Sequence, residues 1–193
     1  MALTLVTAAT SEPVGLDSFK DHARIDTDDQ DVLISDYIRS AREWVEKFTR
    51  RQMLTATWRL TLDVFPDTEI AVPWPPLQSV TSITYTNTAG TADVAWSGSN
   101  YVADTDSTPG RIRPIFGETW PDIRHGDINT VKITFVAGYT STANTPGPML
   151  QAVRLLASHS YEQREPILIG PGSKEMEFTV SSLLYPYRIP KFA

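Results

Sequence analysis

Between Leu33 and Phe48 apolar residues fall at Leu33, Ile34, Tyr37, Ile38, Ala41, Trp44, Val45 and Phe48. This i, i+3, i+4, i+7 spacing lines one face of an amphipathic helix. The stretch Asp26 to Arg51 therefore reads as one long helix, entered through a turn at Asp26–Asp29. Its roughly 21 helical residues make a rod of about 30 Å. Trp44 falls within the stripe and is expected in the core. Upstream, Leu16, Phe19 and Ala23 share a face and predict a short helix over Leu16–Arg24.

Beyond residue 56 the period changes to two. Trp58, Leu60, Leu62 and Val64 alternate with Thr57, Arg59, Thr61 and Asp63, which predicts a half-buried strand over Thr57–Phe65. Ile70–Val72 is a short strand, ended by Pro73-Trp74-Pro75-Pro76, because proline supplies no N–H to a sheet. Val80–Tyr85 and Asp93–Trp96 flank Asn87-Thr88-Ala89-Gly90, a hairpin signal. Asn100–Ala103, Gly110–Arg113 and Thr130–Ala137 supply further strands. Pro146 and Pro148 open a third helix reaching about Tyr161, since proline is tolerated in a first turn. A last helical turn is expected at Ser181–Leu184.

The expected fold class is α+β: a helical unit of two N-terminal helices and one or two C-terminal ones, with a small antiparallel β block inserted. By length the chain is expected to be a single domain over 1–193. Within it lie a helical part at 16–51, a β insertion at 56–138, a third helix at 146–163, and a loop and C-terminal tail at 164–193. No internal repeat is visible.

Charge sharpens this picture. Residues 12–36 hold eight acidic side chains against Lys20 and Arg24, whereas 39–59 hold Arg39, Arg42, Lys47, Arg50, Arg51 and Arg59 against Glu43 and Glu46. Acid at a helix start and base at its end match the helix dipole. Equally, Asp28 and Asp29 of one copy could meet Arg50 and Arg51 of the next, a head-to-tail inter-subunit contact. The net charge of −6 argues against a protein that grips DNA by its phosphates. With 41% hydrophobic residues there is enough for a core, and the lack of cysteine excludes disulfides and thiolate chemistry and fits assembly in a reducing cytosol. The first residues lack the pattern of a signal peptide, and no apolar run approaches the ~20 residues that span a bilayer.

Chemical motifs are weak. Asp26-x-Asp28-x-Gln30 resembles the start of a calcium loop, but Asp31 stands where the turn glycine belongs and Tyr37 where the bidentate glutamate belongs. His22, His125 and His159 have no ligand spacing. No G-x-S-x-G elbow occurs, and Ser97-Gly98-Ser99 reads as a turn. Gly170-Pro171-Gly172-Ser173-Lys174 lacks phosphate-loop spacing and reads as a loop. Glu118 and Asp122 are not a supported catalytic pair. No enzyme, cofactor or metal is expected. Trp74, Trp96, Tyr101 and Trp120 in or near the strand block leave one alternative: a carbohydrate-type ligand-binding β module.

Several separated segments also carry a family pattern. They are Glu12-Pro13-Val14 with Leu16, Ala23-Arg24-Ile25-Asp26 with Asp28-Asp29, and Ala41-Arg42-Glu43-Trp44-Val45-Glu46 followed by Thr49-Arg50-Arg51. Pro75-Pro76-Leu77-Gln78-Ser79-Val80 with Ile83-Thr84-Tyr85, Pro109-Gly110-Arg111-Ile112, and Val136-Ala137-Gly138-Tyr139 come next. Pro146 with Pro148, and Leu183-Leu184-Tyr185-Pro186-Tyr187-Arg188, complete the set. In this order they resemble the head–tail connector (adaptor, head-completion) proteins of long-tailed double-stranded DNA bacteriophages and related gene transfer agents. Ala23, usually bulkier there, and Ile167–Phe178 depart from the pattern.

The resemblance implies a structural virion protein located in the neck and assembled in the host cytoplasm. It implies a homo-oligomeric ring, commonly of twelve copies, joining the portal to stopper or tail proteins and extending a channel through which DNA passes without specific binding. It implies no membrane partner. By the same resemblance Leu183, Leu184, Tyr185, Pro186, Tyr187 and Arg188 become candidates for portal contact; the alternative is that Leu183 and Leu184 close the chain's own core and Tyr185–Arg188 latches it.

Overall fold

The computed structural model describes residues 1–163 and 179–190. The Gly170–Lys174 loop, the Ile167–Phe178 departure and the last three residues of the expected tail lie outside them. The fold is α+β, as the periodicities require, and it is organised as two compact units. One combines Met1–Ala9 with Thr55–Tyr139, the other Thr10–Leu54 with Thr140–Ala193.

The first unit is all β. Its strands are β1 (Ala2–Thr7), β2 (Ala56–Leu62), β3 (Ile70–Val72), β4 (Leu77–Tyr85), β5 (Val94–Trp96), β6 (Tyr101–Asp104), β7 (Gly110–Pro114) and β8 (Val131–Ala137). They form a five-stranded sheet in the order β1-β2-β8-β4-β5 and a three-stranded sheet in the order β3-β7-β6, with every pair antiparallel. In β8 the alternation is strict: Val131, Ile133, Phe135 and Ala137 are buried and the residues between them are half-exposed. They pack with Leu60, Val72, Ile83 and Ile112 to form the core of this unit. Strand β1 escaped the sequence reading. It carries no turn signal, and it is recognisable only through its pairing with β2.

Gly110 fixes the approach of the two sheets. A Cβ there would lie 2.6 Å from the Leu77 Cβ and 3.1 Å from the Asp104 carbonyl oxygen, so only glycine fits.

The second unit is helical: α1 (Leu16–Ala23), α2 (Asp31–Thr49), α3 (Gly147–Glu162) and a short α4 at 179–184. Its core joins Phe19, Ile34, Ile38, Val45 and Met53 to Met149, Val153, Val180 and Leu184. Two expectations about α2 need correction. The helix begins at Asp31, so Asp26, Asp28 and Asp29 lie in the preceding loop. Aspartate side chains compete for local backbone donors and favour caps and turns over helix interiors. At the other end Arg50 adopts a left-handed C-cap conformation (φ 56°), leaving Arg50 and Arg51 beyond the last turn. Trp44 is also not in the core. It is 40% exposed, because the buried line is drawn by Ile34, Ile38, Ala41 and Val45.

Candidate interaction surfaces

In the helical unit the C-terminal run is tied to the end of α2. The Ile189 amide donates to the Thr49 carbonyl at 2.9 Å, satisfying a carbonyl that helix termination leaves free. Arg51 Nε donates to the Tyr187 carbonyl at 2.7 Å. The Arg188 guanidinium lies 5.3 Å from the centre of the Phe48 ring, and Phe48 stacks on Trp44 at 5.2 Å and 9°. Leu184 is fully buried, and Leu183 and Tyr187 pack on the same core. Tyr185, Pro186 and Arg188 keep exposed surface, and Tyr185 is 70% exposed. Thus the six residues divide into three that close the helical core and three that face solvent. What the sequence reading missed is Trp44. Its place beside Phe48 and Arg188 makes a tryptophan–arginine patch of the composition that carries interface energy. The signal was the position of Trp44 at the margin of the apolar stripe.

The four charged residues considered for a head-to-tail contact also divide. Lys20 Nζ binds the Asp28 carboxylate and lies 2.9 Å from that of Asp31. The hydrogen bonds to Asp28 and then Asp31 raise the Lys20 pKa to about 12, and the Lys20 contact lowers that of Asp28. Arg51 is engaged by the Tyr187 carbonyl. Asp29 is exposed and Arg50 half-exposed, and neither has an ion-pair partner among the described residues. Of the four, those two are the ones without an internal ion pair.

Deeper in the same unit, Glu46 is buried. Its carboxylate accepts from Arg42 at 2.7 Å, from the Gln52 amide at 2.8 Å and from the Met53 amide at 2.9 Å. Burial pushes the Glu46 pKa up against the pull of Arg42. Arg42 reaches Glu12 with its other edge at 2.7 Å. Burial disfavours its charge too, but the two carboxylates outweigh it and hold its pKa above the ordinary value. This fully partnered network anchors residues 12 and 52–53 to α2 and is structural.

In the β unit the aromatics face one another. Trp96 is buried, Trp120 stacks on Phe65 at 4.9 Å, Trp96 stacks on Tyr101 at 5.4 Å, and Trp74 stacks on Trp58 at 5.1 Å. Rings committed to each other in this way do not form an open platform for a sugar. A shallow pocket of about 390 Å³ lies beside Trp120 and Arg113, and Arg113 already pairs with Glu69 at 2.6 Å. Asp104 accepts from the amides of Asp106 and Ser107, the Ser107 hydroxyl and Arg111. Those hydrogen bonds, Ser107 first, hold its pKa far below the usual carboxylate range. Among the described residues no group of three or more histidines and carboxylates is placed to hold a metal, and no helix is long and apolar enough to cross a membrane.

The solved structures show the same fold. A chain in the neck of an empty gene transfer agent (GTA) particle, computed with C6 symmetry, matches with a TM-score of 0.82 and 27% identity, over 100% of this chain and 98% of that one. A chain in the neck of a native GTA particle computed with C12 symmetry matches at 0.79 and 26%, with the same coverage. One in the virion of a native GTA particle matches at 0.80 and 26%. No curated protein matches the chain. Residues 14–115, just over half of the chain, match the model of the phage gp6-like head-tail connector proteins, and the chain belongs to that family.

Proposed function

We propose that this protein is a structural component of the virion neck, acting as a closed ring of twelve copies between the portal and the stopper or tail proteins and extending the DNA channel. The observation that carries the reading is the match over the full chain to chains in neck structures. Family membership supports it independently. The role is mechanical and calls for no catalysis.

Within this reading Tyr185, Pro186 and Arg188, with Trp44 and Phe48 beside them, form the portal contact. Leu183, Leu184 and Tyr187 hold that segment in place through the core. Asp29 and Arg50 are the head-to-tail charges between neighbouring copies, with Asp28 and Arg51 positioned behind them by Lys20 and the Tyr187 carbonyl. DNA passes through the ring without specific binding, as suits an acidic chain.

Light scattering and negative-stain microscopy of the purified protein, with and without its portal, test the proposal. A ring of twelve copies, alone or seated on portal, is the expected result. A monomer that ignores the portal overturns it.

A further inference from the structure

We propose that the outer edge of β1 is a strand-docking site, occupied in the virion by an extended, uncharged segment of a different virion protein that adds to the five-stranded sheet as a sixth strand. This rests on the neck-protein reading above.

Strand β1 ends its sheet and pairs only with β2 among the described residues. A sheet edge presents unpaired N–H and C=O groups, a template for another strand, and folded proteins blunt such edges with shortness, charge or proline. The other three edges of this unit are blunted. Strand β5 has three residues and follows Asp93, which is paired with Lys132. Strand β3 has three and lies between Glu69 and Pro73. Strand β6 has four and ends in Asp104. By contrast β1 has six, all exposed except Leu3. Residues 1–11 contain no charged side chain and no proline.

The edge is also apolar. Leu3 packs on the core of the β unit, and Leu5 lies opposite Trp58, the ring stacked on Trp74. Leu5 is 45% and Val6 47% exposed. The buried face of the sheet therefore runs out to its open edge. Main-chain hydrogen bonds would supply affinity for an added strand, and its alternate apolar side chains would lie along Leu5 and the tryptophan pair. A strand carrying charge on the face toward Leu5 and the tryptophan pair would lose hydration against apolar surface.

Symmetry selects the occupant. Pairing β1 with β1 of a second copy is a two-fold contact, whereas a cyclic ring is closed by head-to-tail contacts between different patches. The remaining edges of a second copy are short and flanked by charge or proline. An extended segment from another protein fits both restrictions.

Hydrogen exchange in purified particles carrying this chain, compared with the free chain, tests the idea. Amides of residues 2–7 should exchange at least about tenfold more slowly in the particle. The chain has no cysteine, so Val6→Cys carrying a maleimide-benzophenone photocross-linker, whose second arm inserts into C–H bonds and needs no thiol on the partner, should link to one other virion protein at a single uncharged segment. Thr4→Glu, placed opposite Arg59, with Val6→Lys, both at exposed positions, should leave the melting point of the free chain and the mass of the ring unchanged yet abolish the protection. Equal exchange in particle and free chain, with the ring present, overturns strand docking alone. A cross-link joining two copies of this chain overturns the choice of occupant. Absence of the chain from the particle overturns the neck reading and this proposal together.

Discussion

At 100° per residue Trp44 stands roughly 90° round α2 from the mean direction of Ile34, Ile38, Ala41 and Val45. That angle decides its role. A tryptophan in the middle of the stripe would cost roughly 3–5 kcal/mol on truncation to alanine. Trp44 is 40% exposed and stacks on Phe48, so Trp44→Ala should cost about 1–2 kcal/mol, the loss of one aromatic pair and part of a buried surface. Denaturant melts check the stability, and the same variant should bind portal more weakly if the patch is the contact. A cost above about 3 kcal/mol would return Trp44 to the core. Gly110 sits at the opposite extreme. Gly110→Ala drives a methyl into Leu77 and the Asp104 carbonyl, and overpacking of this kind costs about 1–3 kcal/mol. A melting point equal to wild type would show that the two sheets can separate to admit it.

Elements that declare themselves by period were legible in the sequence. The α2 stripe, the period-two run of β2 and β8 and the proline-opened α3 each form the element their spacing selects, and β8 buries every second residue, but α2 turns Trp44 outward and Val64 lies exposed beyond the end of β2. Strand β1 was not legible, because six residues beside no turn signal acquire a strand's identity only from the partner they pair with. The ends of α2 were not legible either, since Lys20 of another helix engages Asp28 in the loop and the C-terminal segment binds the end of the helix. For the surfaces, residue types pointed to the C-terminal run but not to its division, which depends on Leu184 reaching the helical core. The turn between β6 and β7 gives an element-scale test. The Asp104 pKa is depressed by its hydrogen bonds, so the folded state binds fewer protons there than the unfolded chain. Its stabilisation is complete above the ordinary aspartate pKa and is lost as pH falls below about 4. Asp104→Asn should therefore melt below wild type at pH 7, with the difference shrinking in acid. A difference independent of pH would assign the effect to shape rather than charge.

For the whole molecule, the order of charge along the sequence has two outlets. Part of it acts inside one copy: Lys20 holds Asp28 and Asp31, Arg42 holds Glu12 and Glu46, and Arg51 holds the Tyr187 carbonyl. Of the four charges weighed for the subunit joint, Asp29 and Arg50 remain without an ion pair among the described residues. If ring closure uses them, Asp29→Lys or Arg50→Glu should each shift the population from ring to monomer, and the double variant should restore the ring, because the exchanged charges again face each other across the joint. Neither change touches the core, so melting of the monomer should stay within about 0.5 kcal/mol of wild type. The contact is exposed, and added salt should therefore mimic the single variants by screening charges over a Debye length of about 10 Å at 0.1 M. Mass photometry across a salt series separates the cases. Rings lost in both single variants and recovered in the double assign the joint to this pair. Rings indifferent to all three variants leave the charge order as a device of the single copy, matched to the dipole of α2, and move the subunit joint to apolar surface.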